Sequence, residues 1–215
     1  MTLRVLSVLT FLAGAAVLWV ALVILGEAPG SAPEARHLRA MKKRLAVPEA
    51  YTPYTLADFQ ALPHGIALEH RARRERTAVS FEGWNQRMMM AGDGDAHLEL
   101  VASPRAPGGR DTVYVTAEIT PPFRRDAASG ATGAWRYDRL LALFRPNHGG
   151  QTPWEQGPAR VRVSGWLLYD WQYDHVPTSW SLQNAAPRAT GWEIHPVTRI
   201  ERWDERAAAW IEVPR

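Results

Sequence analysis

The chain has 215 residues, 46% of them hydrophobic and none of them Cys. It can therefore bury a sizeable core, and it excludes disulfides, zinc–thiolate sites, iron–sulfur clusters and cysteine nucleophiles. The formal charge is +3, but the excess lies upstream: from Thr77 onward 15 Arg stand against 16 Asp and Glu, whereas a nucleic-acid-binding domain carries its phosphate-neutralising charge itself.

Residues 5–26 form a run of 22 without a charge, about 33 Å long as a helix and matched to the hydrocarbon core of a bilayer. The run exceeds the apolar region of a cleaved signal peptide, usually about 7 to 15 residues, and APG at 28–30 makes a poor cleavage site. Residues 1–26 are thus expected to be an uncleaved transmembrane anchor. The positive-inside rule, applied to the basic residues that follow, would hold the remainder in the cytoplasm. Those residues begin ten positions past the span, and a short basic head before an N-terminal span acts as a signal anchor. The expectation is a single-pass protein of the inner (cytoplasmic) membrane with its domain on the periplasmic side.

Residues 27–76 read as a linker with short basic helices. EAPGSAP at 27–33 is a Pro/Gly/Ser connector. A helix over 33–45 would set Leu38, Met41 and Leu45 on one face and Arg36, Arg39, Lys42, Lys43 and Arg44 around the rest, which suits either anionic headgroups or a solvated helix packed on the domain. Thr55 and Asp58 have capping-box spacing ahead of LADFQAL, which stops at Pro63. RARRER at 71–76 reads as a solvated connector.

From Thr77 the pattern turns to strands. TAVSFEGW alternates and runs on towards Met90, with Gly83 permitting a bulge or bend. GDGD at 92–95 marks a hairpin turn into AHLELVA, and APGG at 106–109 precedes TVYVTAEI. WRYDRLLALF at 135–144 has helical spacing; RVRVSGWLLYD and WEIHPVTRIERW, with AAWIEV, complete the chain. Three strands, a helix and two strands, with a long bent first strand, is the order of a five-stranded OB barrel. The expected fold is all-β with one helix, an OB-like barrel over 77–215.

Four motifs carry a resemblance: Asp95 and His97 in DAH, AEITP at 117–121, GWLLYD at 165–170 and WEIHPV at 192–197. Over 79–201 the sequence resembles an uncharacterised family of bacterial exported or anchored proteins with D-x-H, G-W-L-x-x-D and W-E-I-H-P-V motifs. The resemblance implies the barrel and export, and no established activity. Members often carry Cys after the first strand, where this chain has Met88, Met89 and Met90.

Asp95 with His97, and Glu193 with His195, are spaced two apart on strands, so each pair shares a sheet face. Together with Asp170 and His175 these residues would hold zinc or another divalent ion if they converge, and a bound ion activates water. The alternative is that Trp192 and Ile194 fill the core, that His195 hydrogen-bonds a loop or an Arg, and that Asp170 merely caps a strand end. No P-loop, G-x-S-x-G, H-E-x-x-H or G-x-G-x-x-G is present, and no cofactor other than a divalent metal is indicated. In the long loop before WEIHPV, Trp171, Tyr173, Trp180 and Arg188 are the residue types enriched at protein–protein hot spots. The sequence alone therefore favours a membrane-anchored interaction module: an accessory subunit of a larger membrane assembly, respiratory or photosynthetic for example, with other membrane subunits and the bilayer as partners. A metal-dependent hydrolase is the alternative.

Overall fold

The computed structural model describes residues 33–103, 113–126, 131–144, 159–174 and 188–215. The expected anchor at 5–26, nearly all of EAPGSAP, the APGG turn, His175 and Trp180 lie outside them. Among the described residues no helix is long and apolar enough to cross a membrane.

The chain divides into two compact units, 1–41 and 42–215. α1 (Pro33–Lys42), in the first unit up to Met41, opens on a proline, with Glu34 in the first turn where a negative charge favours the helix dipole. It is shorter than the expected 33–45. The second unit runs β1 (Thr52–Tyr54), α2 (Leu56–Gln60), α3 (Leu68–Arg74), β2 (Ala78–Met90), β3 (Ala96–Val101) and β4 (Tyr114–Ile119). There follow β5 (Arg124–Asp126), β6 (Ala131–Thr132), β7 (Trp135–Arg136), α4 (Tyr137–Phe144), β8 (Ala159–Tyr169), a 3₁₀ turn (Trp171–Tyr173), β9 (Arg188–Asp204) and β10 (Ala209–Glu212).

The first half of β2 pairs antiparallel with β8, from Ala78↔Trp166 to Asn85↔Ala159, and the second half with β3, from Trp84↔Val101 to Met90↔Ala96. Serving two neighbours requires the strand to bend, and its register with β3 slips between Asn85 and Arg87, as a bulge does. At Gly83 a Cβ would lie 2.5 Å from the Val101 carbonyl oxygen, so only glycine admits this approach. β3 pairs antiparallel with β4, β4 runs parallel to β9, and β9 returns antiparallel to β8. The sheet thus closes into a five-stranded barrel with α4 between its third and fourth strands, the OB arrangement. β1 adds in parallel to β2 and β10 antiparallel to β9, while β6, β5 and β7 form a separate three-stranded sheet.

Alternation sorts the side chains. Val79, Phe81, Met88, Leu98, Leu100, Val115, Ala117, Val163, Leu167, Trp192 and Ile194 share one core cluster with Leu140 and Phe144 of α4. The opposite face carries Arg87, Glu99, Thr116, Glu118, Glu193 and His195, and these are buried as well. Charged groups are almost never fully buried unless paired, and burying so many at once marks this face as the place to look for function.

The thread into the barrel is more engaged than RARRER implied. Thr55 and Asp58 form the expected capping box on α2, but Arg71 and Glu75 are buried rather than solvated. Tyr169 lies beyond the last β2–β8 pair, so its N–H needs another acceptor, and Glu75 Oε1 supplies it at 3.0 Å. Arg71 lies over the Tyr169 ring, 5.2 Å from its centre.

Candidate metal centre

Register assembles the site. Met89 faces His97, His97 faces Glu118, and the parallel pairing of Ala117 with Ile194 sets His195 beside Glu118. One row along, Arg87, Glu99, Thr116 and Glu193 follow each other across the same four strands. Asp95 enters from the β2–β3 hairpin, where its carbonyl accepts the Ala91 N–H at 2.8 Å and Gly94 takes a φ of +90°.

His195 is fully buried. Its Nδ1 is 3.0 Å from both Glu193 Oε1 and Glu118 Oε2, and its Nε2 is 3.5 Å from Asp95 Oδ2. A single Nδ1 proton cannot point along two lines; directed to Glu193, it leaves Glu118 Oε2 and His195 Nε2 buried without a hydrogen bond. One ligand atom from each of Asp95, Glu118 and His195 lies within 4.8 Å of the others. Two ligands of one ion with bonds near 2.1 Å stand up to about 4.2 Å apart, so small side-chain rotations complete the set. The imidazole suits zinc and the two carboxylates suit a harder ion such as manganese, so either divalent ion is compatible with the set.

The surrounding groups have the arrangement of an outer shell. Glu193 accepts from Nδ1, which leaves Nε2 as the nitrogen a metal would take, and is itself held by the Arg188 guanidinium; a metal-ligating imidazole uses its second nitrogen in this way. Glu118 Oε1 pairs with His97 Nδ1 at 3.0 Å.

Burial, helped by the charges of Glu118 and Asp93 and opposed by His195, pushes Asp95 up to about 7. Burial would lower His195, but the carboxylates of Glu118 and Glu193 beside it outweigh that and lift it to about 10. Glu118 is buried too, yet His195 and His97 hold it well below the usual carboxylate range. Glu193 is lowered by Arg188 and His195 against burial and the charge of Glu118. Without a metal the cluster holds protons on His195 and Asp95, where a divalent ion would place its two charges.

A cavity of about 490 Å³ opens beside the cluster, walled by Glu118, His97, Arg87, Tyr114, Tyr173 and Met89 among others. A larger one of about 740 Å³ lies near β1, but its Glu82 and Glu201 are paired with Arg162 and Arg199.

Of the residues singled out from sequence, Asp95 and His195 come together, and His97 joins them through Glu118. Asp170 stands apart, capping the 3₁₀ turn by accepting the Gln172 N–H at 3.2 Å and pairing with Lys42 at 2.8 Å. Burial and Glu193 raise Asp170, and Glu193, Asp170 and Glu118 raise Lys42 in spite of its burial. Trp171 and Tyr173 are 41% and 40% exposed, whereas Arg188 is buried on Glu193 with its guanidinium 4.8 Å from the Tyr173 ring centre. Arg36, Arg39 and Lys43 are exposed; Arg44 donates to the Glu75 carbonyl at 2.9 Å and lies over Trp166, so it and Lys42 face the barrel. Glu118 and Arg87 were not picked out, although alternation with buried Ala117 and Ile119 already puts Glu118 on the polar face.

No known protein-family model matches this chain, and no curated protein matches it in sequence.

Proposed function

We propose that the barrel is a metal-dependent hydrolase domain, tethered to the inner membrane by residues 5–26. The observation that carries the reading is the convergence of Asp95, Glu118 and His195, with His195 Nε2 and Glu118 Oε2 fully buried and without hydrogen bonds. Burying charge is costly even when it is paired, and a divalent ion would satisfy both atoms at once. When bound, such an ion supplies a water acidic enough to lose a proton near neutral pH. Asp95, Glu118 and His195 would hold it, and Glu193 would fix the His195 tautomer. His97, its side chain 15% exposed at the cavity wall and bonded to Glu118, is placed to take the water's proton and return it to the leaving oxygen.

The test is hydrolysis of p-nitrophenyl phosphate, bis-p-nitrophenyl phosphate and p-nitrophenyl acetate by full-length protein in mild detergent, stripped and then reloaded with Mn²⁺ or Zn²⁺. Metal-dependent release of nitrophenol that His195→Ala abolishes supports the reading. No release, or release indifferent to metal, removes it.

A second reading, a module that binds other membrane subunits, draws on the exposed Trp171 and Tyr173. It predicts co-purifying proteins and native migration far above 24.1 kDa; migration as a free monomer counts against it.

A further inference from the structure

We infer that the cavity beside the cluster receives the phosphoryl group of a phosphate ester, held between the divalent ion and Arg87. This rests on the metal reading above and adds the substrate class. Arg87 is 8% exposed, gives Nη1 to Glu99 at 3.3 Å, and keeps its buried Nε without a hydrogen-bond partner while lining the cavity. The deficits are complementary: an orphaned donor of Arg87 in the cavity wall, and the orphaned Oε2 of Glu118, also in that wall, with the orphaned Nε2 of His195 next to it in the buried cluster. A cation satisfies the second, and an anion bound to that cation satisfies the first.

The anion is best a phosphoryl group. Its several oxygens allow one to bind the ion while others take donors from the planar guanidinium. A neutral carboxylic ester offers one weakly charged carbonyl oxygen and cannot bridge in the same way. Lys42 is paired with Asp170, Arg188 with Glu193 and Arg87 Nη1 with Glu99, but Arg87 keeps its Nε without a partner and is the residue placed to grip. Tyr114, Tyr173 and Met89 offer apolar surface for the alcohol part, and about 490 Å³ is within the range of small-molecule sites. Turnover would join the water oxygen to phosphorus, break the phosphorus–oxygen ester bond, and leave the alcohol with a proton from the water.

The binding test is calorimetric titration of full-length protein in mild detergent with inorganic phosphate, with and without Mn²⁺, using acetate as the comparison anion. Arg87→Lys, which keeps a positive charge beside Glu99 but lacks Nε, and Arg87→Gln are the variants, with folding followed by thermal unfolding. The expected result is phosphate binding at least about tenfold tighter with Mn²⁺ than without, lost about tenfold in Arg87→Lys at unchanged metal stoichiometry, and acetate weaker throughout. Equal phosphate affinity in wild type and folded Arg87→Lys, or acetate binding as tightly as phosphate, overturns the inference. If the wild type takes up no metal, the metal reading falls by itself; Arg87-dependent phosphate binding in that protein keeps the anion site, and its absence ends both. Phosphatidic acid vesicles and soluble p-nitrophenyl phosphate then separate a lipid headgroup from a free ester. Release from either names the source, and release from neither, with phosphate bound, overturns the ester assignment.

Discussion

Glu193 decides which nitrogen of His195 is available. With the Nδ1 proton given to Glu193 and the Arg188 guanidinium holding that carboxylate, Nε2 is left as the ligand. Glu193→Gln keeps the shape but weakens the acceptor, and is expected to weaken metal binding about 10- to 100-fold, read by competition with a metal indicator; unchanged affinity in the folded variant would show that Glu193 only fills space. The ligands also hold protons, Asp95 up to about 7 and His195 up to about 10. Metal must displace them, so apparent affinity should climb with pH, steeply below about 7 where two protons leave and less steeply between about 7 and 10 where one does. The metal-free protein should behave oppositely. His195 is raised above its unfolded value, so its stabilising effect is complete below about 6.5 and is lost as pH rises through about 10. Thermal midpoints taken across that window should fall without metal and be rescued most by metal at the alkaline end; a flat profile would contradict the assignment. The spacing of Glu193 with His195 was enough to place that pair on one face of a strand from sequence, whereas Asp95 lies in the hairpin just before β3. Glu118 was not identified, because what brings it to His195 is the parallel register of β4 with β9, and the 68 residues between Ile119 and Arg188 carry no local signal of that pairing.

At the scale of elements, the site depends on how closely β8 and β9 approach. A Cβ on Gly165 would lie 2.2 Å from the Pro196 carbonyl oxygen and 2.8 Å from Ile194 Cγ2, and Pro196 follows His195 directly. Backbone cannot yield as a flexible side chain does, so Gly165→Ala should cost about 1–3 kcal/mol or more, seen as a lower urea midpoint, and should weaken metal binding as β9 shifts. An unchanged midpoint would show that the strands tolerate separation here. This contact gives the glycine of GWLLYD a physical reason. The barrel itself was legible because three strands, a helix and two strands follow in order, each marked by alternation and a turn signal. β1 and the β5–β7 sheet were not legible: strands of two or three residues are too short to show a period. RARRER misled for a related reason, since Glu75 accepts the Tyr169 N–H and Arg71 lies over the Tyr169 ring, far along the chain.

For the whole molecule, the proposed anchor predicts resistance to alkaline carbonate extraction. Protease added to spheroplasts should digest the chain from Ala28 onward, and full protection would instead place the barrel in the cytoplasm, as the basic residues after the span would have it. Wherever the barrel faces, the central claim concerns its buried charge: carboxylates and imidazoles set on the outer face of an OB barrel to hold a divalent ion. The most direct measurement is the metal stoichiometry of the full-length protein purified in mild detergent and titrated with Mn²⁺ and Zn²⁺, alongside His195→Ala. The account predicts about one ion per chain, a thermal midpoint raised by its binding, and loss of both effects in the variant. Wild-type protein that takes up neither ion and melts at the same temperature with and without them would contradict it.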